Sequence, residues 1–153
     1  MGAVTYPDEM VASVVTERFV ACQVNTQDES SKEVVARYRQ AWTPDLRVLD
    51  SEGFDLYHWN GYLPPAEFVA QLGVAQGHAY LRLHQEEQAT TAFEEVLRRF
   101  PTAMAAPEAQ YFLAVANYKR SHEGRDLLGG WHRLQVRYPD STWRVRQSFS
   151  EEK

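Results

Sequence analysis

The chain is expected to fold as a mixed α/β unit followed by an all-α layer of helical hairpins. Three observations carry this expectation. Residues up to about 72 alternate between short strand-like and short helix-like segments. From Gly73 onward the strand signals vanish and only long helical patterns remain. Within that second stretch the sequence repeats at an interval of 38 residues, as between Tyr80 and Tyr118. At 153 residues the chain has the length of one domain or of two small packed pieces. With 44% hydrophobic and 24% charged residues its composition is globular rather than disordered.

Asp8, after Pro7, can cap a helix running to about Arg18, with Met10, Val11, Val14 and Val15 as its apolar stripe. Phe19 to Val24 is a near-continuous apolar run, the pattern of a strand buried on both faces. Polar residues from Asn25 to Ser31 lead into a second helix, where Val34, Val35 and Tyr38 recur at helical spacing before Pro44. Leu46, Val48 and Leu49 predict a strand, Ser51-Glu52-Gly53 a tight turn, and Phe54 to Tyr62 the returning strand. Pro64 and Pro65 suit the first turn of a helix over 66–72, since a first-turn N–H has no partner to lose. The later helices are expected at about 74–85, 87–100, 107–121 and 124–138, with a short one after Asp140. Gly129-Gly130 lies inside one of them and is expected to permit close helix approach beside Trp131, because glycine otherwise costs a helix about 1 kcal/mol.

Charge and cysteine content narrow the chemistry. The net charge is -5, and the densest basic spot, Arg98-Arg99, sits beside Glu94 and Glu95; this is a solvated helix face rather than a phosphate-binding surface, so no nucleic-acid partner is expected. The acidic residues Glu86, Glu87, Glu94, Glu95 and Glu108 are read the same way. A single cysteine, Cys22, excludes an intrachain disulfide, a C-x-x-C motif and a multi-thiolate zinc site. Its place in the apolar run predicts a buried, unreactive thiol. His78 and His84, six apart on one helix, point to different faces, and His58, His122 and His132 lie in other segments. Ser13, Ser30 and Ser31 are not in a nucleophile elbow, and no glycine-rich phosphate loop occurs. No metal, cofactor or catalytic set is therefore expected. No secretory signal and no membrane-spanning run is visible, which predicts a soluble, cytoplasmic protein.

The repeat pairs Tyr80 with Tyr118, Ala89 with Leu127, Phe93 with Trp131 and Pro101 with Pro139. Residues 73–153 thereby resemble tetratricopeptide repeats: Gly77, Tyr80, Ala89, Phe93 and Pro101 fit that family's order of small residue, aromatic, alanine, aromatic and closing proline. The second unit is more degenerate. It keeps Tyr111, Tyr118, Trp131 and Pro139, but Leu127 replaces a small residue and four extra residues enter the connection. With two copies, one end of the layer is expected to lean on the first part of the chain.

Residues 1–72 resemble the later part of the thioredoxin-like fold. The resemblance rests on Phe19 to Asn25 as central strand, Tyr38 ahead of Thr43-Pro44, Leu46 to Gly53 as strand and turn, and Trp59-Asn60-Gly61-Tyr62-Leu63-Pro64 as the return into a helix. In that family the Thr-Pro bond is cis, sits against the active site and pairs with extended substrates. The family's Cys-x-x-Cys and the strand before it would fall ahead of Met1. An incomplete thioredoxin-like fold without redox chemistry is thus expected, with a sheet edge left open that a homodimer or an overlaid helix would close.

The leading functional expectation is a redox-inactive, chaperone-like protein-interaction module for a protein or peptide partner. Its alternative is a fragment of a thiol-disulfide oxidoreductase whose Cys-x-x-Cys lies upstream of Met1. The peptide-binding candidates are the aromatic residues Tyr111, Tyr118 and Trp143, together with Thr43 and Pro44, the pair singled out by the thioredoxin-like resemblance. At helical-repeat spacing aromatic residues such as these and Trp131 also serve as core, and Trp143 is the one expected to be partly exposed.

Overall fold

A computed structural model describes residues 1–150; the end of the expected repeat region, 151–153, lies outside the described residues. The fold is mixed, with seven α-helices and one two-stranded antiparallel sheet among the described residues. Helix α1 (Glu9–Arg18) starts where Asp8 accepts from the backbone N–H groups of Met10 and Val11, at 3.0 and 3.3 Å. The carboxylate satisfies donors that a first turn leaves orphaned. Ahead of it, the buried Thr5 hydroxyl donates to the Leu63 carbonyl at 2.7 Å, which pins the N-terminal residues beside the Leu63-Pro64 segment.

The apolar run after α1 does not become a strand. Phe19 is extended, but no described backbone hydrogen bond involves Val20 to Val24, and Cys22 is exposed rather than buried. A strand is a pairing rather than a local conformation, and this segment has no backbone partner among the described residues. The following helix α2 (Lys32–Arg37) is shorter than expected and buries none of its residues. It is tied instead through polar groups: Tyr38 Oη donates to the Gly53 carbonyl at 2.8 Å, and Arg37 donates to the carbonyls of Glu52 and Gly53.

The Thr43–Pro44 peptide bond is cis. Strands β1 (Asp45–Leu49) and β2 (Asp55–Asn60) then pair in the register Asp45↔Asn60 to Val48↔Tyr57, with a bulge between Val48 and Leu49. Gly53, at φ 76, makes the turn in a conformation that side chains disfavour. Arg47 bridges Asp45 and Asp55 on the hairpin, and its guanidinium lies over the Tyr38 ring at 5.2 Å.

Helix α3 (Pro65–Arg82) is one unbroken element where the sequence suggested two, 66–72 and 74–85. Gly73 does not interrupt it; the glycine lies against Val96, whose Cγ2 would be 2.5 Å from an added Cβ. The change of pattern near residue 72 therefore falls inside a helix. Helices α4 (Glu86–Arg99), α5 (Ala106–Ser121) and α6 (Gly124–Arg137) match the expected spans to within a residue, and α7 (Thr142–Val145) is the short final helix, capped by Ser141.

Two clusters form the core. Val11 and Val14 of α1 pack on Phe68, Val69 and Leu72 of α3, with Leu46 and Trp59 of the sheet alongside. The second cluster joins Ala70 and Val74 of α3 to Phe93 and Val96 of α4 and to the alanines of α5. Small residues set the helix spacing. A Cβ on Gly77 would overlap the Phe93 ring, and one on Gly130 would overlap Ala114. Gly129 has nothing within 4 Å, so only its neighbour serves close approach.

The acidic residues are not uniformly solvated. Glu95 holds Arg18 through two hydrogen bonds of 2.8 and 2.9 Å and also receives Arg99 at 2.8 Å, joining α1 to α4. The Arg18 hydrogen bond, opposed by burial and helped by Arg99, lowers the Glu95 carboxyl from 4.5 to about 2. A depressed carboxyl contributes stability that is present above its unfolded value and lost as pH falls through its folded one. Glu95→Gln is therefore expected to lower the melting temperature modestly at neutral pH, since all three groups remain partly exposed. The gap between variant and parent should close as pH falls from 4.5 towards about 2 in thermal melts followed by circular dichroism. A gap that persists at the acid end would mean that Glu95 acts through packing instead.

Candidate functional site

The richest grouping of polar and aromatic side chains lies where β2, α3 and α5 meet, and it continues onto α7. Glu108, in the first turn of α5, is its centre. The Tyr57 hydroxyl of β2 donates to Glu108 Oε1 at 3.0 Å, and His78 Nε2 of α3 lies 2.8 Å from the same oxygen. With the carboxylate as acceptor, Nε2 carries the ring proton. Gln71, two helical turns before His78, donates from Nε2 to the Tyr57 hydroxyl at 2.9 Å. His78 and Glu108 side chains are each 13% exposed, so the pairing is largely shielded from water. Burial, and after it the Glu108 charge, pushes the Tyr57 phenol up. The phenol stays a donor.

Aromatic rings enclose this node. His78 stacks on Tyr57 with centroids 4.7 Å apart, and the Phe112 ring meets it edge-on at 4.1 Å. From Phe112 the contacts run to Tyr111 and Trp143, at 5.2 and 5.5 Å. Tyr111 touches Trp143 at 5.3 Å and stacks on Trp131 at 5.2 Å. Arg146 caps the row, its guanidinium 4.0 Å from the Trp143 ring centre. Tyr111 and Trp143 are half-buried and Trp131 is buried.

Of the five residues expected to bind peptide, Tyr111 and Trp143 are brought together. Tyr118 is 39% exposed and no described ring contact joins it to that row. Thr43 and Pro44 lie just ahead of β1, and the Pro44 carbonyl accepts from Gly61 N–H at 3.0 Å. Glu108 belongs to this node and Glu95 to an ion-pair network, so neither is part of a solvated acidic face. Sequence reasoning missed the node of Tyr57, Gln71, His78 and Glu108. The available signal was the seven-residue spacing of Gln71 and His78, which puts both on one side of a helix.

The side chains that make up the grouping include no serine, threonine or cysteine; Cys22 lies on the segment after α1. Among the described residues no group of three or more His, Cys, Asp or Glu side chains is placed to hold a metal ion. No helix among them is long and apolar enough to cross a membrane. What the arrangement offers is a hydrogen-bonded node with an aromatic row at its side. Compared with protein-family models, curated proteins and solved structures, the chain matches none.

Proposed function

We propose that the chain is a non-catalytic, chaperone-like interaction module that holds an extended peptide segment of a partner protein. The observation that supports it is the row Tyr111–Trp143–Phe112, half-buried and fixed from below by the Glu108 node. Aromatic side chains supply large contact area at small conformational cost, and anchors of this type dominate binding energetics. A segment with an aromatic or aliphatic anchor would seat against Trp143, with Arg146 holding the indole face. On this reading the α3–α7 hairpins act as a short tetratricopeptide-like array. Residues 1–72 act as a thioredoxin-like unit that braces one end, and Thr43-Pro44 is a second edge for extended segments.

The test is a peptide-display selection against the whole chain, followed by titration of the selected peptides with tryptophan emission as readout. Trp143→Ala and Tyr111→Ala are expected to weaken binding by about 2 kcal/mol each, roughly thirtyfold. Thr43→Lys on the second edge should leave the peptides that respond to those two substitutions unaffected. Recovery of no peptide, or of peptides indifferent to both aromatic substitutions, refutes the assignment of this row.

A further inference from the structure

The donors gathered at the aromatic row bear on what the row takes. Arg146 is exposed, with its guanidinium 4.0 Å from the Trp143 ring centre. We propose that the seated segment is acidic: an apolar anchor lies against Trp143, and the carboxylate of a neighbouring Asp or Glu is bound by Arg146. This rests on the reading of the row as a peptide seat and adds the partner's chemistry to it.

Arg146 is placed for that role. A guanidinium held over an aromatic ring keeps its N–H donors, which lie in its own plane and match a carboxylate two at a time. Among the described residues no acceptor takes them, whereas Arg18, Arg47 and Arg99 each already hold a carboxylate. The ring contact also orients the side chain before a ligand arrives, which lowers the cost of ordering it. Other donors line the same row. The Tyr111 hydroxyl and the Trp143 indole N–H have no partner among the described residues, and the fold does not enclose them. Trp131 Nε1, on the ring stacked against Tyr111, and Gln147 Nε2, next in sequence to Arg146, are buried without an acceptor. Glu108, the carboxylate of the neighbouring node, is taken up by Tyr57 and His78. Side-chain donors therefore exceed acceptors at the row, and an ionised carboxylate is the peptide side chain that brings acceptors alone.

Charge is distributed to match. Residues 1–118 carry eight Lys and Arg against sixteen Asp and Glu, whereas 119–153 carry eight against five. The helices that hold Trp131 and Trp143 thus belong to the positive end of a chain whose net charge is -5. That end attracts an acidic segment and turns away a basic one. Glu86, Glu87, Glu94 and Glu95, which a basic segment would need, lie on α4, outside the row. A nucleic acid fits less well, because phosphate binding needs several clustered cations. Among the described residues Arg146 is the one cation stacked on the row.

The experiment pans the whole chain against three peptide libraries with random apolar centres, acetylated and amidated ends, and flanking positions fixed as Glu, Gln or Lys. Binders are expected from the Glu library. The best of them should bind roughly tenfold more tightly than its Gln counterpart, read by tryptophan emission. That margin should narrow as sodium chloride is raised, since the Debye length falls to about 3 Å at 1 M. Arg146→Gln should remove the margin between the two peptides. Arg146→Lys, which keeps the charge but not the paired donors, should restore part of it. Because Arg146 is exposed, circular dichroism of both variants should match the parent. Trp143→Ala should weaken both peptides alike. Equal recovery from the Glu and Gln libraries, preferential recovery from the Lys library, or a margin that survives Arg146→Gln overturns the acidic assignment. So does a single-stranded oligonucleotide that binds more tightly than the Glu peptide. Binders without that margin that still lose affinity in Trp143→Ala leave the peptide seat standing, whereas no binder from any library overturns the seat and the acidic assignment together.

Discussion

Phe93→Ala is expected to cost about 3–5 kcal/mol of folding stability, measured by urea unfolding, the largest effect of any single truncation in the chain. Phe93 is fully buried. Its ring fills the space opened by Gly77 and closes against Phe112 at 6.3 Å and His78 at 5.8 Å. Removing it leaves a cavity walled by two helices that are already pinned by other contacts, so the site cannot collapse cheaply. The same geometry predicts a coupling. Gly77→Ala in the parent drives a methyl into the Phe93 ring and should cost about 1–3 kcal/mol. In the Phe93→Ala background that methyl enters vacated space and the helix gains alanine's propensity. The double variant should therefore be more stable than the sum of its parts by about 0.5–3 kcal/mol. Strict additivity would mean that Gly77 and Phe93 do not share one packing site.

The second large effect separates two adjacent glycines. Gly130→Ala is expected to destabilise by about 1–3 kcal/mol even though alanine is the better helix former. Its Cβ would overlap the Ala114 side chain and lie 3.0 Å from the Ala114 Cα, and backbone cannot step aside as a flexible side chain can. Gly129→Ala meets nothing within 4 Å and should stabilise by about 0.5–1 kcal/mol. Thermal and urea melts of the two variants should thus move in opposite directions. Shifts of the same sign would show that α5 and α6 are not in the close contact described.

These residues also mark how far the sequence could be read. Gly77 and Phe93 were legible through the resemblance to a helical-repeat order, in which small residues let helices approach and aromatics fill the gap between hairpins. The caps and breaks of α4, α5 and α6 were legible because Pro101, Pro139 and the apolar stripes act within a turn or two. The Val20–Val24 segment was misread for the converse reason: its composition reports a capacity to pair, and composition does not say whether a partner strand is within reach. Gly73 was misread as a break because its role, contact with Val96, depends on a helix 23 positions away. The Glu108 node was hidden for the same reason. Tyr57, His78 and Glu108 are each ordinary in their own segments, and they meet across separations of 30 and 51 residues. Of the peptide-binding residues, Tyr111 and Trp143 share a face through the antiparallel packing of α5 against its neighbours, whereas Tyr118 lies two turns further along the helix.

Helix α3 has a bearing on how the molecule comes apart. It supplies Phe68, Val69 and Leu72 to one core cluster and Ala70 and Val74 to the other. Because those residues interleave along the same few turns, neither cluster can lose its share of α3 while the other keeps it. Unfolding of α3 removes a wall from both clusters at once, so its free-energy cost includes both. The α1 side and the α4–α5 side are therefore expected to unfold as one cooperative unit, with the α3 amides the last to exchange in native-state hydrogen exchange.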